Sequence, residues 1–395
     1  MPAFSRGCIC DHENSTNQEG EKMYEPNDLR VVLGLMVVGP EGSGARLTGL
    51  DNLNAALDIF QEHGNTEIDT ARLYLGGKQE AFTREGRWKE RGLTVATKSY
   101  PITPGLHSPD ALAATLETSL AELGTDCVDI FYLHAPKPTI YIHEPHRSSD
   151  VGHPRSRYIV QQQDRSIPFT TTLEATDKLY KAGKFKRLGL SNYTAFEVAE
   201  IATICAHRGF VRPTIYQALY NCLFRNIEDE LIPACRRYGI AVDAYSPMGG
   251  GFLAGTITSV DADIKEGRYA RGGPMSHLTR GRYLRPGIIE GARIIREAAE
   301  KAGIPPLEVA MRWIRHHSAL RGRSKGGSDG VVIGFSNLEQ LRFNLDALDK
   351  GPLSEELVEA AEKAWRAAKA DADVYWQLPL VYSYDTVGEM FGKSR

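Results

Sequence analysis

The chain has 395 residues, of which 42% are hydrophobic and 25% are charged, and its formal net charge is −3. This composition is ordinary for a globular protein and excludes wholesale disorder. The slightly acidic balance provides no basic field for nucleic acid. The longest apolar run, residues 31–38, is far too short to cross a membrane. We therefore expect a globular chain with no nucleic-acid partner and no membrane span.

The six cysteines indicate a reducing compartment, because none stands in a C-x-x-C pair and a chain of this length does not need a disulfide framework. The N-terminal segment is polar and lacks the apolar core of a secretion signal. We predict a disordered arm over residues 1–29 and a cytoplasmic location.

Beyond this arm, short β-type runs alternate with longer amphipathic segments. Residues 30–38 predict the first strand, and Leu50 to His63 predicts a helix that ends at Gly64. Further strands are predicted at 67–69, 93–98, 128–134, 185–191, 214–217, 240–245 and 331–334. Further helices are predicted at 77–89, 108–123, 170–182, 194–207, 227–238, 291–302, 307–317, 338–348 and 354–370.

Eight strands separated by helices imply parallel strands joined by right-handed crossovers. Closing eight such units gives an α/β fold, a single (β/α)8 TIM barrel, here with extra C-terminal helices. An open doubly wound sheet is the alternative, but its glycine-rich phosphate turn is not matched by the nearest candidate, residues 39–44. We predict a barrel over residues 30–370, an insertion at about 138–167, and a C-terminal tail over residues 371–395.

Polar side chains stand at the predicted carboxyl ends of six consecutive strands, which in a barrel surround the active site. The first group of these side chains comprises Asp69, Tyr74 in the loop that follows, Lys98 and His134. The second group comprises Ser191, Asn192, Gln217 and Tyr245. Because these ends meet at one rim, we expect both groups to lie close together.

The first group has a definite chemistry. A tyrosine has a pKa of about 10, and a nearby lysine ammonium favours the phenolate and lowers that pKa. Asp69 would keep a buried Lys98 charged, and His134 would donate a hydrogen bond to a carbonyl oxygen. Singly, each residue has an ordinary structural explanation, such as a turn cap for Asp69. Together they predict a pocket that protonates an oxyanion developing at a carbonyl.

At this point the sequence resembles the aldo-keto reductase family, and most of all its aflatoxin-aldehyde reductase subgroup. The matching segments are 67–71 with Tyr74, 97–98, 131–134, 189–193, 216–217 with 220–221, 244–247, 312–313 with 316–318, and 332–341. They occur in order and cover roughly residues 30–370. The resemblance implies a barrel that uses NADPH without a Rossmann domain, and it leaves NADH use open.

The resemblance also assigns roles to residues. Tyr74 would be the general acid, Lys98 and Asp69 would tune it, and His134 would orient the carbonyl. The implied cofactor contacts are Ser191, Asn192 and Gln217 for the nicotinamide carboxamide, Tyr245 beneath the ring, Gly250 and Gly251 for the pyrophosphate, and Ser336, Gln340 and Asn344 for the adenosine 2′-phosphate. A helix starting at Asn337 would favour an anion in that last pocket.

Three departures from the family pattern stand out. The segment after Tyr245 is Ser-Pro-Met-Gly-Gly-Gly rather than Asn-Pro-Leu-Ala-Gly-Gly, and Arg342 is the only cation that the sequence places in the 2′-phosphate region. The insertion directly follows a proposed catalytic residue and is interpreted as a substrate lid, with retained intron sequence as the alternative. Its three histidines, at 143, 146 and 153, match no standard zinc spacing, so no metal site is predicted.

We predict the NADPH-dependent reduction of an aldehyde or ketone to an alcohol, with hydride from nicotinamide and a proton from Tyr74. Detoxification of reactive aldehydes and tailoring of one ketone in secondary metabolism both remain open. The alternative is an NADPH-binding regulatory subunit on the same fold with little turnover. The expected partner is a small carbonyl substrate, and homodimer formation is left open.

Overall fold

The computed structural model describes residues 28–101, 105–135, 165, 167–271, 276–376 and 380–392. Its strands are β1 (Arg30–Gly34), β2 (Val38–Gly39), β3 (Leu47–Thr48), β4 (Glu67–Asp69), β5 (Thr94–Ser99), β6 (Val128–Leu133), β7 (Phe185–Ser191), β8 (Pro213–Leu219), β9 (Ala241–Tyr245) and β10 (Gly330–Ile333). Its helices are α1 (Leu50–Glu62), α2 (Gln79–Glu85), α3 (Pro109–Leu123), α4 (Phe169–Lys181), α5 (Ala195–Arg208), α6 (Leu231–Arg237), α7 (Ser276–Tyr283), α8 (Pro286–Ala302), α9 (Pro306–His316), α10 (Leu338–Asp349), α11 (Glu355–Ala368) and α12 (Thr386–Phe391).

Eight of these strands form a closed parallel barrel in the order β1-β10-β9-β8-β7-β6-β5-β4. The barrel closes at β1, whose Arg30 pairs with Gly330 of β10 and whose Val32 pairs with Glu67 of β4. Helices alternate with the barrel strands, and α10, α11 and α12 follow the last strand. The predicted (β/α)8 TIM barrel with extra C-terminal helices is therefore confirmed.

The prediction of one long strand over residues 30–38 is wrong. β1 ends at Gly34, and a turn closed by a hydrogen bond from Val38 N to Leu35 O (3.0 Å) leads into a separate two-stranded sheet of β2 and β3. Leu33, Leu35 and Val38 are all fully buried. Burial on both sides of the bend keeps the run apolar, so hydrophobicity alone cannot reveal where the strand stops.

Two predicted helices are shorter than expected. Over residues 77–89 the helix α2 begins only at Gln79, because the preceding turn contains the left-handed residues Leu75 (φ 51°) and Gly76 (φ 65°). Over residues 227–238 the helix α6 begins only at Leu231. The α7 and α12 helices were not predicted, and both are short.

A buried polar network crosses the inside of the barrel. Arg30 donates to both carboxylate oxygens of Glu67 (2.6 and 2.7 Å) and to Asp243 Oδ1 (2.5 Å), while the Tyr132 hydroxyl donates to Asp243 Oδ2 (3.4 Å). Burial raises the pKa of Asp243, and the Arg30 guanidinium opposes that rise. The network joins four strands and fixes Tyr132 beneath the carboxyl end of the barrel.

The C-terminal tail packs against the start of α5. The Tyr382 hydroxyl donates to the buried Glu197 carboxylate (2.7 Å), and the Tyr375 hydroxyl accepts from Ala195 N (3.0 Å). Within the predicted insertion the structure describes residues 165 and 167. The first of these, Arg165, forms an ion pair with the same Glu197. The tail therefore binds this chain's own barrel at these points.

Most of the predicted insertion, residues 138–164 and 166, lies outside the described residues, as do residues 1–27 of the predicted arm. The three histidines of the insertion are among them. In the portion of the chain that is described, no helix combines the length and the apolarity that crossing a membrane would take.

A close approach between β6 and β7 gives a stability prediction. A Cβ atom placed on Gly189 would lie 2.3 Å from Cδ1 of the buried Tyr132 ring. We expect Gly189→Ala to lower the free energy of unfolding by about 1–3 kcal/mol, because the ring is enclosed and cannot yield. Urea denaturation measures this change. Gly351→Ala is the matched control, since nothing lies within 4 Å of its added methyl group; an equal effect on both variants would contradict the packing argument.

Candidate active site

A lysine ammonium lies at the centre of the carboxyl rim. Lys98, on β5, is fully buried, and its Nζ donates to Asp69 Oδ2 (2.5 Å), Thr70 O (2.8 Å) and the Tyr74 hydroxyl (3.2 Å). Asp69 is the last residue of β4, and Tyr74 begins the turn that follows it. Strand pairing therefore brings together three of the four residues in the predicted catalytic group.

The turn that carries Tyr74 is fixed by two residues that the sequence analysis missed. The Arg72 guanidinium donates to Gly77 O at the end of the turn and to Glu80 Oε2 (2.6 Å). Glu80 is fully buried and accepts from Thr97 Oγ1 (2.6 Å), next to Lys98 on β5. A glutamate in the first turn of the helix that directly follows the tyrosine turn was the available signal. Through these hydrogen bonds, Arg72 and Glu80 connect the turn that carries Tyr74 with β5, the strand that carries Lys98.

The pKa of Tyr74 is raised above its usual range, mainly by burial, and Lys98 opposes that rise. The sequence analysis expected a lowered pKa, because it weighed the ammonium and could not weigh the burial. For Lys98, burial lowers the pKa, but Asp69 and Tyr74 together raise it above its usual range. The site thus contains a charged lysine and a protonated phenol, which is the state that can donate a proton.

His134 follows β6 and completes the predicted group. Its ring is nearly perpendicular to that of Tyr74 (centroids 6.3 Å apart) and to that of Tyr100 (5.2 Å). Burial, and then the charge of Lys98, hold the pKa of His134 well below its usual range, so the imidazole is neutral. Its Nδ1 is buried and has no hydrogen-bond partner among the described residues. A neutral ring offers one donor and one acceptor to a polar substrate group.

The predicted carboxamide residues form a network with the catalytic group. Asn192 Nδ2 donates to His134 O (2.8 Å) and to Ser191 Oγ (3.0 Å), and Ser191 Oγ donates to Gln217 O (2.9 Å). Gln217 Nε2 donates to Asp69 Oδ1 (2.9 Å), and the Tyr245 hydroxyl donates to Asn192 Oδ1 (3.3 Å). Asn192 has a left-handed backbone (φ 63°), which asparagine tolerates better than most residues.

The predicted phosphate residues lie in the turn after β9, in the loop after β10 and on α10. Gly250 and Gly251 are in a tight turn after β9 with left-handed φ angles of 64° and 95°, which favour glycine. Ser336 N donates to Gln340 Oε1 (2.9 Å) at the start of α10. Asn344 is buried, and its amide donates to Gly334 O (3.0 Å) at the end of β10. Asn344 therefore fixes the loop that carries Ser336.

The structure adds three arginines that the sequence analysis did not assign. The Arg268 side chain packs against Gly250, and Arg282 forms a hydrogen bond with Tyr245. Arg46 lies beside Ser336, with 3.4 Å between Nη1 and Oγ. Arg342, the cation that the sequence placed there, is instead exposed and pairs with Glu62 (3.7 Å). The arginine-rich stretch after the glycine turn was the only signal for two of the three.

Comparison with known proteins identifies the family of this chain. The sequence profile of the Aldo/keto reductase family matches residues 30–366. An aldo-keto reductase of Pseudocercospora fijiensis is 39% identical over 81% of this chain and 99% of its own length. Aflatoxin B1 aldehyde reductase member 4 of Homo sapiens is 37% identical over 79% and 88%, and aldo-keto reductase pigE of Monascus ruber is 33% identical over 88% and 96%. The chain belongs to the aldo/keto reductase family and is an NAD(P)H-dependent oxidoreductase.

Proposed function

We propose that this enzyme reduces an aldehyde or ketone to an alcohol with NADPH, and that Tyr74 supplies the proton. The observation that carries the proposal is the placement of one buried ammonium, that of Lys98, against both Asp69 (2.5 Å) and the Tyr74 hydroxyl (3.2 Å). Family membership supports the use of a nicotinamide cofactor and a carbonyl substrate. The choice of NADPH rests on the three arginines of the candidate site, which are Arg46, Arg268 and Arg282.

Each catalytic residue has one task in this reaction. A nicotinamide cofactor, when bound, would supply the hydride that the carbonyl carbon accepts. Tyr74 donates its phenolic proton to the carbonyl oxygen, and the Lys98 ammonium stabilises the phenolate that remains. The neutral His134 donates a hydrogen bond that orients the same oxygen. Asp69 keeps the buried lysine charged, since an isolated ammonium in this position would lose its proton.

The residues present fit a dinucleotide. In the left-handed turn the space beside Gly251 is open to a ligand, since nothing lies within 4 Å of a Cβ atom placed there, and the Arg268 side chain lies against the neighbouring Gly250. Ser191, Asn192 and Gln217 would hold the carboxamide, and Tyr245 would lie beneath the ring. Gly250 and Gly251 would contact the pyrophosphate. Ser336, with Gln340 and Asn344 of α10, would contact the adenosine phosphate. We assign the finer selectivity between cofactors to a separate residue below.

Two physiological settings are open to this enzyme. One human relative is an aflatoxin B1 aldehyde reductase, which favours detoxification of reactive aldehydes. The other setting is the one that the sequence analysis raised beside it, the tailoring of one ketone in secondary metabolism. A panel of small dialdehydes and aromatic ketones would separate the two by kcat/KM.

We propose the cytoplasm as the location, because Cys127, Cys205, Cys222 and Cys235 carry free thiols.

The first prediction from the proposed function concerns the proton donor. Tyr74→Phe keeps the ring and removes the acidic hydrogen, so we expect kcat for a test aldehyde such as 4-nitrobenzaldehyde to fall at least about 100-fold. The Kd for NADPH, measured by fluorescence quenching, should stay unchanged. Tyr180→Phe is the matched control, because Tyr180 lies on α4 against Phe185, and its kcat should not change.

Unimpaired turnover in the Tyr74→Phe variant would refute the assignment of the proton donor. NADPH binding by the unmodified protein without turnover of any carbonyl in the panel would favour the alternative, a regulatory subunit that senses the cofactor.

The second prediction concerns pH. A histidine whose pKa lies well below its usual range stays neutral through the neutral region, and a tyrosine whose pKa is raised stays protonated there. We therefore expect kcat/KM for carbonyl reduction to be flat from about pH 6 to pH 9. The rate should fall only at more alkaline pH, as Tyr74 loses its proton. An acidic limb near pH 6.5 that vanishes in His134→Gln would contradict the neutral imidazole.

A further inference from the structure

A surface arginine lies beside the loop proposed to hold the adenosine phosphate. Arg46 directly precedes β3, and its backbone nitrogen donates to Val37 O (2.9 Å), so the small sheet of β2 and β3 fixes its position. Its Nη1 lies 3.4 Å from Ser336 Oγ, across 290 positions in sequence. The residue therefore reaches a loop that no sequence pattern connects with it.

A second arginine lies next to Arg46. The Arg46 Nη1 is 3.9 Å from the position of a Cβ atom on Gly267, the residue before Arg268. The pKa of Arg46 is lowered, first by partial burial and then by the positive charge of Arg268. Within the described ranges, neither guanidinium contacts a carboxylate. Two neighbouring cations without a counter-ion repel each other, and a bound anion would relieve that repulsion.

The two arginines lie beside the two phosphate positions of the proposed function. Arg268 packs against Gly250, which is assigned to the pyrophosphate, and Arg46 lies at Ser336, which is assigned to the 2′-phosphate. NADPH and NADH differ only in that 2′-phosphate. We propose that Arg46 is the residue by which this enzyme selects NADPH over NADH. The proposal rests on the proposed function and adds the cofactor preference to it.

Other positive groups in this region are less suited to the task. At the start of α10, Gln340 N donates to Asn337 Oδ1 (2.8 Å) and Ser336 N donates to Gln340 Oε1 (2.9 Å), so two backbone donors are already occupied. Arg342 is 59% exposed and pairs with Glu62 (3.7 Å). Arg46 thus supplies the charge that the loop itself lacks, with the forked geometry that matches a phosphate.

Binding of NADPH and NADH to the full chain without substrate tests the proposal. Titration calorimetry should show that Arg46→Ala raises the Kd for NADPH about tenfold and leaves the Kd for NADH within twofold. Adenosine 2′,5′-bisphosphate, used as a competitor, should lose affinity by the same factor as NADPH. Arg46→Lys keeps the charge but not the fork, and it should give an intermediate loss.

The matched control is Arg342→Ala, which removes one positive charge from the same region. It should leave the ratio of the two Kd values unchanged, whereas a loss equal to that of Arg46→Ala would attribute the effect to general charge and overturn the proposal. Equal losses for both cofactors, or no loss for NADPH, would overturn it too, with the proposed function intact. If the unmodified protein bound neither cofactor, the proposed function itself would fail and this inference with it.

Arg46 is exposed, so its replacement should not alter folding, and an unchanged Tm of the Arg46→Ala variant verifies this. If Tm falls, Arg46→Gln takes the place of Arg46→Ala, because it keeps part of the aliphatic stem and removes the charge. It should then raise the Kd for NADPH about tenfold, and an unchanged ratio of the two Kd values in that variant would overturn the proposal.

Discussion

The site depends on one buried positive charge. The Lys98 ammonium has no access to water and uses its three hydrogens on Asp69, Thr70 and Tyr74. Burial lowers the pKa of this ammonium, and the carboxylate of Asp69 opposes that effect, so that the pKa lies above its usual range. The charge in turn limits how far burial raises the pKa of Tyr74 and helps to keep His134 neutral. The Lys98 charge therefore acts on the ionisation of both Tyr74 and His134, although burial is the larger influence on the pKa of each.

The barrel supplies the geometry that this charge needs. Register places Lys98 of β5 opposite Tyr132 of β6, whose ring centroid is 5.7 Å from Nζ and whose hydroxyl is tied to Asp243. The ammonium thus lies between the rings of Tyr132 and Tyr74, the latter 5.0 Å away. A cation between two aromatic faces is stabilised where water cannot reach it. The other side of the Tyr132 ring environment is β7, where a Cβ atom at position 189 would lie 2.3 Å from Cδ1 of this ring, which explains the glycine there.

Much of this arrangement could be predicted from the sequence. The alternation of strands and helices predicts a barrel, and in a barrel the polar residues at the carboxyl ends of the strands meet at one rim. The eight barrel strands and the grouping of Asp69, Tyr74 and Lys98 follow from that logic. The bend after Gly34 could not be predicted, since both sides of it are buried. The direction of the Tyr74 pKa depends on burial, which a sequence does not give. Arg46 was missed because only folding brings it to Ser336.

The most direct test of the account is the ionisation of Tyr74, measured in 13C-tyrosine-labelled protein by NMR, with Tyr74→Phe used to assign the signal. In Lys98→Met the opposing charge is absent, so the account predicts that the pKa of Tyr74 rises further above its value in the unmodified enzyme. A pKa that stayed the same or fell in that variant would show that the lysine does not control the phenol, and would contradict the central claim.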